Sequence, residues 1–147
     1  MALALTKLFN TILNLGRFPK IWNISLLTSI YKSGDPTYCG NYRGISISSC
    51  VGKLFTSLLQ NRISDFLETN GLLSDNRGGF RKNYRAVNQA FILKTIINKY
   101  IYKEKRKVYA CFVDFKKAFN SVWRSALFIK LQSVGIRGKL YNIIHDL

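Results

Sequence analysis

Apolar residues recur at every third or fourth position in four parts of the chain, the spacing that is typical of amphipathic helices. The first predicted helix runs to Leu15 and stops at Gly16, a residue that often ends helices. The second predicted helix, residues 51–67, is the longest, and residues 68–71 close it. Later helices are predicted over residues 87–101 and 123–134, and residues 140–147 have the pattern of the start of another.

Two segments have the pattern of strands instead of helices. Residues 24–31 are mostly apolar and lead into residues 32–36, where glycine and proline are typical of a turn. Residues 108–115, Val-Tyr-Ala-Cys-Phe-Val-Asp-Phe, are so densely apolar and aromatic that they predict a buried strand. No repeat or linker interrupts the chain. We therefore expect a mixed α+β domain with long helices and few strands.

Asp114 lies at the end of the second predicted strand, where an ionised carboxylate is costly unless a positive group meets it. A bound divalent metal ion would meet that need, and an acid that caps the following turn is the competing interpretation. Spacing alone leaves the two interpretations about equal. The chain has seven acids, Asp35, Asp65, Glu68, Asp75, Glu104, Asp114 and Asp146, and only Asp114 falls within an apolar strand pattern.

The charge of the chain indicates a polyanionic partner. A formal net charge of +16 arises from 23 Lys and Arg residues against 7 acids. This excess favours nucleic acid over a ribosomal-type structural role or a protein partner with an acidic face. The basic run at residues 103–107 is ordinarily a solvated loop, and contact with nucleic acid is the less common interpretation. The three cysteines lack metal-ligand spacing, and the lone histidine, His145, gives little support for histidine catalysis.

The sequence contains no pattern of a membrane-spanning segment or of a secretion signal. No apolar run approaches the roughly 18 residues that span a bilayer, and no basic residue precedes the apolar start. We therefore expect an intracellular protein, in the cytoplasm or the nucleus, that is not secreted and has no membrane partner.

Seven short motifs follow one another along nearly the whole chain. They are residues 18–22 (Phe-Pro-Lys-Ile-Trp), 30–35 (Ile-Tyr-Lys-Ser-Gly-Asp), 41–46 (Asn-Tyr-Arg-Gly-Ile-Ser), the helix at 53–63, 79–82 (Gly-Phe-Arg-Lys), 112–119 (Phe-Val-Asp-Phe-Lys-Lys-Ala-Phe) and 131–138. In this order they resemble the reverse transcriptases of non-LTR retrotransposons. The resemblance implies a partial right-hand polymerase fold, with residues 1–107 fingers-like and residues 108–147 the start of the palm.

The resemblance also implies a catalytic site. Asp114 matches the first catalytic aspartate, a ligand of Mg²⁺, with Mn²⁺ as an alternative, and the backbone carbonyl of Phe115 is a second metal ligand. Phe119 matches the aromatic residue that packs against the sugar of the incoming deoxynucleotide, although a core position is nearly as good an interpretation. Arg43 and Arg81 match basic positions that approach the triphosphate or the template, where a solvated cation is the competing interpretation.

Further positions are expected to contact the partners that the resemblance implies, which are an RNA template, a DNA primer and deoxynucleoside triphosphates. Phe80 and Lys82 are the expected template contacts. The chain departs from the family pattern at Gly44, which replaces proline, at Arg77, where glutamine is usual, and at Asn120, where a second aspartate is usual.

The family's second aspartate pair is expected beyond residue 147. We therefore expect a fragment of an RNA-directed DNA polymerase that is inactive by itself. A non-catalytic basic RNA-binding protein and a non-functional remnant of a retroelement are the alternatives. The sequence does not predict the oligomeric state.

Overall fold

The structure is a computed structural model that describes residues 1–115 and 118–147. Lys116 and Lys117, which belong to the motif at residues 112–119, lie outside the described residues. The helices are α1 (Ala2–Leu15), α2 (Cys50–Thr69), α3 (Ala86–Ile97), α4 (Arg124–Ser133) and α5 (Gly138–Asp146), and the strands are β1 (Leu26–Tyr31) and β2 (Tyr42–Ile47). The described part of the chain is therefore mixed and rich in helix, as the sequence predicts.

The chain divides into two compact units. Unit 1 contains residues 1–62 and 123–147, and unit 2 contains residues 63–122. The division near residue 62 falls within α2. Unit 1 therefore contains the sheet, α1, α4 and α5, whereas unit 2 contains α3 and the loops on either side of it.

The first helix ends where its sequence predicts. Gly16 adopts a left-handed conformation, with φ 67°, and its N–H donates to the carbonyl of Ile12 at 2.9 Å. Glycine reaches this backbone region without the steric cost that a Cβ imposes. The chain then turns through Phe18 into a short 3-10 helix, Lys20–Asn23, whose Trp22 ring lies 6.5 Å from the Phe9 ring of α1.

The sheet of the described residues is one antiparallel pair. Leu26 of β1 lies opposite Ile47 of β2, and Tyr31 lies opposite Tyr42 at the other end. The rings of these two tyrosines lie 5.6 Å apart. The sequence predicts β1, but it does not predict β2, because residues 38–44 have the polar and glycine-containing composition of a loop.

The core of unit 1 is a cluster of four aromatic rings. Phe55 of α2 is 1% exposed and lies 5.2 Å from Phe9, 6.0 Å from Phe18 and 6.1 Å from Trp22, measured between ring centroids. The tilted and edge-to-face arrangements match the favourable contacts of aromatic quadrupoles. Because α1, the 3-10 helix and α2 all meet at Phe55, this ring links the three elements.

The last helix joins the same unit through Asp146 and Ile143. The N–H of Phe18 donates to Asp146 Oδ2 at 3.3 Å, and Asn23 Nδ2 donates to the Asp146 carbonyl at 2.6 Å. Ile143 is fully buried. His145 is exposed on α5, and its ring lies 4.7 Å from the ring of Phe128 of α4 in a tilted arrangement.

Unit 2 has a different character, because α3 buries none of its residues. After Ile97 the helix widens into a π-helix, Asn98–Lys103, and the chain then continues through the basic run at residues 103–107, whose residues are exposed. Glu104 lies 3.9 Å from Lys99 and 3.5 Å from Arg106, both exposed cations. The predicted helix at residues 87–101 is confirmed in position, whereas its expected apolar stripe stays open to solvent.

The predicted buried strand at residues 108–115 is wrong. This segment has no regular secondary structure, and its large side chains are exposed, with Phe112 at 82% and Val113 at 77%. A strand needs a neighbour that pairs with its backbone and covers its side chains. In the part of the chain that the structure describes, the sheet contains β1 and β2 alone, so this segment stays unpaired.

Truncation of Phe55 tests the aromatic cluster. The change Phe55→Ala is expected to lower the free energy of unfolding by about 3–5 kcal/mol, because it removes a buried ring and leaves a cavity. Phe66→Ala is a matched control on the same helix, at a ring that is 39% exposed, and is expected to cost less than about 1 kcal/mol. Urea denaturation measures both values. Equal losses in the two variants would contradict the central place of Phe55.

Candidate nucleic-acid interface

The Gly-Phe-Arg loop, residues 72–85, connects α2 to α3, and an ion pair to the end of α2 fixes it. Arg81 Nε donates to Glu68 Oε1 at 2.8 Å, and Arg81 Nη2 donates to Glu68 Oε2 at 2.7 Å. These two parallel bonds form a bidentate pair, the strongest arrangement between guanidinium and carboxylate. The pair therefore ties the loop to the helix across 13 positions of sequence.

Further contacts surround the Arg81 guanidinium. Nη1 donates to the carbonyl of Ser74 at 3.1 Å, and Asp75 lies 4.0 Å away. The Tyr84 ring lies beneath the guanidinium, 4.5 Å from its central carbon. Only 8% of the side chain remains exposed. Because Nε, Nη1 and Nη2 all donate to groups of the protein, Arg81 serves the loop itself in this structure.

The ion pair shifts the pKa values of both partners. The hydrogen bonds from Arg81 lower the pKa of Glu68 from its ordinary 4.5, against a smaller opposing effect of burial. The same hydrogen bonds raise the pKa of Arg81. Both shifts favour the charged forms, so the pair stays ionised at neutral pH.

Phe80 lies between the held residues and points into solvent. Its φ is 58°, a left-handed conformation that costs energy for a residue with a large side chain, and the residue is 81% exposed. Arg77 Nε donates to the carbonyl of Gly79 at 3.2 Å, so the peptide before Phe80 is also held. An exposed aromatic face beside cations is a surface on which an unpaired base can stack.

Lys82 adds positive charge beside this ring. It follows Arg81 directly, is exposed, and forms no ion pair with the residues that the structure describes. The loop therefore brings together Phe80, Arg81 and Lys82, three of the residues that the sequence indicates. Two of them face solvent, and Arg81 faces the protein.

Arg43 belongs to unit 1. It lies in β2 opposite Ile30 of β1 and is exposed. Within the described ranges no acid pairs with it, so its guanidinium is available to a phosphate.

The segment around Asp114 is exposed, whereas the sequence predicts a buried strand there. Asp114, Phe115 and Phe119 are all exposed, and the two rings are 73% and 82% exposed. The high cost of a buried carboxylate therefore does not apply to Asp114 here, and Phe119 is not a core aromatic. Across residues 1–115 and 118–147, no three His, Cys, Asp or Glu side chains lie close enough together to hold a metal ion.

The residues that hold the loop together were not predicted from the sequence. Glu68, Ser74, Arg77 and Tyr84 carry its internal contacts, and none of them was predicted to have a role. Glu68 carried one signal, because it is one of only 7 acids in a chain with 23 cations. That signal does not say which cation Glu68 binds.

Comparison with known proteins identifies the family of the chain. Residues 30–147 match the family described as reverse transcriptase (RNA-dependent DNA polymerase). The match includes the second strand, the Gly-Phe-Arg loop and the segment with Asp114. The chain belongs to this reverse transcriptase family, which confirms the resemblance that its motifs show.

Curated relatives come from mobile elements of insects. The chain is 32% identical over 133 residues to a probable RNA-directed DNA polymerase from transposon BS of Drosophila melanogaster, covering 90% of the chain and 15% of that protein. It is 30% identical over 129 residues to the RNA-directed DNA polymerase from mobile element jockey of the same species, covering 86% of the chain and 14% of that protein. The chain thus spans about a seventh of the length of these relatives.

A more distant relative extends the comparison beyond flies. The chain is 28% identical over 132 residues to a Pol polyprotein from the type-1 retrotransposable element R2 of Popillia japonica, covering 88% of the chain and 17% of that protein. No solved structure matches the chain. Among the described residues, no helix is long and apolar enough to cross a membrane.

Acidification tests the Glu68–Arg81 ion pair. Because the pKa of Glu68 is lower in the folded protein than its ordinary 4.5, the stability that the pair contributes is fully present above that value. It is lost as the pH falls through the lower folded pKa. The difference in free energy of unfolding between the wild type and Glu68→Gln is therefore expected to shrink from about pH 7 to about pH 3. A difference that does not change with pH would contradict the ion pair.

Proposed function

We propose that the chain is the part of an RNA-directed DNA polymerase that binds the RNA template and helps to bind the incoming deoxynucleotide, with a DNA primer as the strand to be extended. The observation that carries this proposal is the family match over residues 30–147. The net charge of +16 supports a nucleic-acid partner independently. Residues 1–107 would be the fingers-like part and residues 108–147 the start of the palm.

The Gly-Phe-Arg loop is the proposed template contact. Phe80 presents an exposed ring for stacking, and Lys82 presents an exposed charge for a phosphate. Any base can stack on an aromatic ring, and a contact between lysine and a phosphate does not depend on the base sequence. The loop is therefore suited to hold many template sequences, as a polymerase requires.

The proposed nucleotide contacts are Arg43, Arg81, Phe115 and Phe119. Arg43 is exposed and offers a bidentate fork to a phosphate. Phe119 is exposed and would pack against the sugar, where a ring leaves no room for a 2′ hydroxyl. Contact of Arg81 with a triphosphate would require its pair with Glu68 to open, so we rank Arg81 last among the cations.

Asp114 is the proposed catalytic aspartate and one ligand of Mg²⁺, with Mn²⁺ as an alternative and the Phe115 carbonyl beside it. The described residues do not fit a complete two-metal centre, which needs several carboxylates close together. When bound at such a centre, the ion supplies charge stabilisation at the reacting phosphate. We therefore propose that the chain alone binds nucleic acid but does not extend a primer.

A non-catalytic RNA-binding role is the second candidate. The exposed ring of Phe80 and the excess of cations favour it as much as they favour template binding. The two functions share the binding step and differ in the chemistry that follows, so binding measurements address both.

Salt dependence tests the proposed RNA contact. The chain is expected to bind a fluorescein-labelled single-stranded RNA in an anisotropy titration, with an affinity that falls about 20-fold between about 50 and 200 mM salt if about three phosphates are contacted. Lys82→Gln is expected to lower the slope of log affinity against log salt by about 0.7. Lys7→Gln, at an exposed lysine of α1, is the control and should leave the slope unchanged. Affinity that does not respond to salt would contradict the proposal.

Divalent-ion binding tests Asp114. We expect weak Mn²⁺ binding, measured by the loss of the free-ion electron paramagnetic resonance signal, and we expect Asp114→Asn to abolish it, because a carboxylate oxygen is a preferred ligand of such ions. Asp65→Asn removes the same charge from the exposed side of α2 and serves as the control. Unchanged binding in Asp114→Asn would remove this residue from the proposed metal site.

A further inference from the structure

We propose that Glu68 is a positioning residue for RNA binding, because it holds Arg81 and thereby fixes the loop conformation that presents the Phe80 ring to an unpaired base. The inference rests on the proposed function of the Gly-Phe-Arg loop as a template contact. The partner is single-stranded RNA, recognised by stacking and charge.

The ion pair between Glu68 and Arg81 closes the loop. Glu68 lies one residue before the end of α2, and its two oxygens accept both bonds of the Arg81 fork. Arg81 in turn donates to the Ser74 carbonyl, which also accepts the N–H of Arg77 at 3.0 Å. Without Glu68, the nearly buried guanidinium would lose its main partner, and an unpaired buried charge is unfavourable.

The closed loop determines the backbone conformation of Phe80. Arg77 holds the Gly79 carbonyl on one side, and Glu68 holds Arg81 on the other. The carbonyl of Arg81 also accepts the N–H of Tyr84 at 3.3 Å. A phenylalanine with φ 58° persists only where its surroundings impose that conformation. The contacts on both sides of Phe80 are the surroundings that do so.

The Phe80 ring gains little stabilisation from contacts with the protein itself. A phenylalanine that is 81% exposed forgoes most of the stabilisation that burial gives a ring of this size. The loop therefore combines a strained backbone with a solvated aromatic face. Strain of this kind clusters at binding sites, where it orders a contact before the ligand arrives.

The direction in which Glu68→Gln changes RNA affinity distinguishes a positioning role of Glu68 from a purely electrostatic effect. On charge alone, Glu68 opposes the binding of RNA, so its neutralisation should raise the affinity. If Arg81 were itself a phosphate contact, its release from Glu68 would raise the affinity further. If Glu68 instead positions Phe80, then Glu68→Gln lowers the affinity despite the loss of a negative charge.

The experiment compares Glu68→Gln with Asp65→Asn in the 147-residue chain, using a labelled single-stranded oligouridylate as the probe. Asp65 is an exposed acid on the same helix, and among the described residues it has no ion-pair partner. We expect Asp65→Asn to keep or raise the affinity and Glu68→Gln to lower it at least about threefold at constant salt. Equal or higher affinity in Glu68→Gln would overturn the inference.

A double-mutant cycle shows whether Glu68 acts through Phe80. Phe80→Ala is expected to lower the affinity about 5- to 150-fold, which corresponds to the roughly 1–3 kcal/mol of one stacked base. In the Phe80→Ala background, Glu68→Gln should cause no further loss and should behave like Asp65→Asn. Additive losses would mean that Glu68 supports the protein generally and does not position this ring.

Two further variants keep the inference testable if Glu68→Gln unfolds. Arg81→Lys keeps the charge but lacks the bidentate fork, so it should lower the affinity and leave the salt slope unchanged. Phe80→Gly relieves the left-handed strain and should raise the melting temperature while it lowers the affinity. A lower slope in Arg81→Lys, or a lower melting temperature in Phe80→Gly, would contradict the account. If the wild type fails to bind the probe, the proposed function itself fails.

Discussion

The bidentate pair between Glu68 and Arg81 is the interaction on which the candidate site depends. A guanidinium leaves water only when its donors find acceptors and its charge finds a counterion. Glu68, Ser74 and the Tyr84 ring together meet those needs for Arg81. Because these partners come from both ends of the Gly-Phe-Arg loop, satisfying one side chain also determines the course of the whole loop.

The two compact units differ in how much apolar area they bury. Unit 1 contains the ring cluster around Phe55 and the buried Ile143, so burial of apolar area stabilises it. In unit 2, α3 has no buried residues and the segment at residues 108–115 is exposed. Polar contacts within the Gly-Phe-Arg loop therefore contribute a larger share of the stability of this unit. Large exposed apolar area marks surfaces that other groups cover in an assembly.

The helices could be predicted from the sequence, because the spacing of apolar residues and the residues that end a helix are both local features. Gly16 ends α1 as expected, and the predicted helix at residues 51–67 lies within α2. The strand at residues 108–115 failed because a strand is stable only with a paired neighbour, which is not a local property. Without that strand, the cost of a buried carboxylate does not apply to Asp114, which is exposed, and its catalytic role is a proposal.

The candidate site could be predicted only in part for a similar reason. The Gly-Phe-Arg motif marked Phe80, Arg81 and Lys82 in the sequence, but it did not show that Arg81 turns inward while Phe80 turns outward. That difference depends on Glu68, which is distant in sequence and looks like an ordinary acid on the polar face of a helix. Ion pairs across a loop depend on three-dimensional geometry, so the residue type and spacing of Glu68 carried too little information.

Photocrosslinking tests most directly whether single-stranded RNA lies on the outer face of the Gly-Phe-Arg loop. A 4-thiouridine oligoribonucleotide would be crosslinked to the 147-residue chain, and the modified residues would be located by mass spectrometry. Crosslinks are expected at Phe80 and Lys82, and only a low yield of crosslinks is expected at Arg81, whose side chain faces the protein. Crosslinks confined to residues outside 72–85 would contradict this location of the RNA.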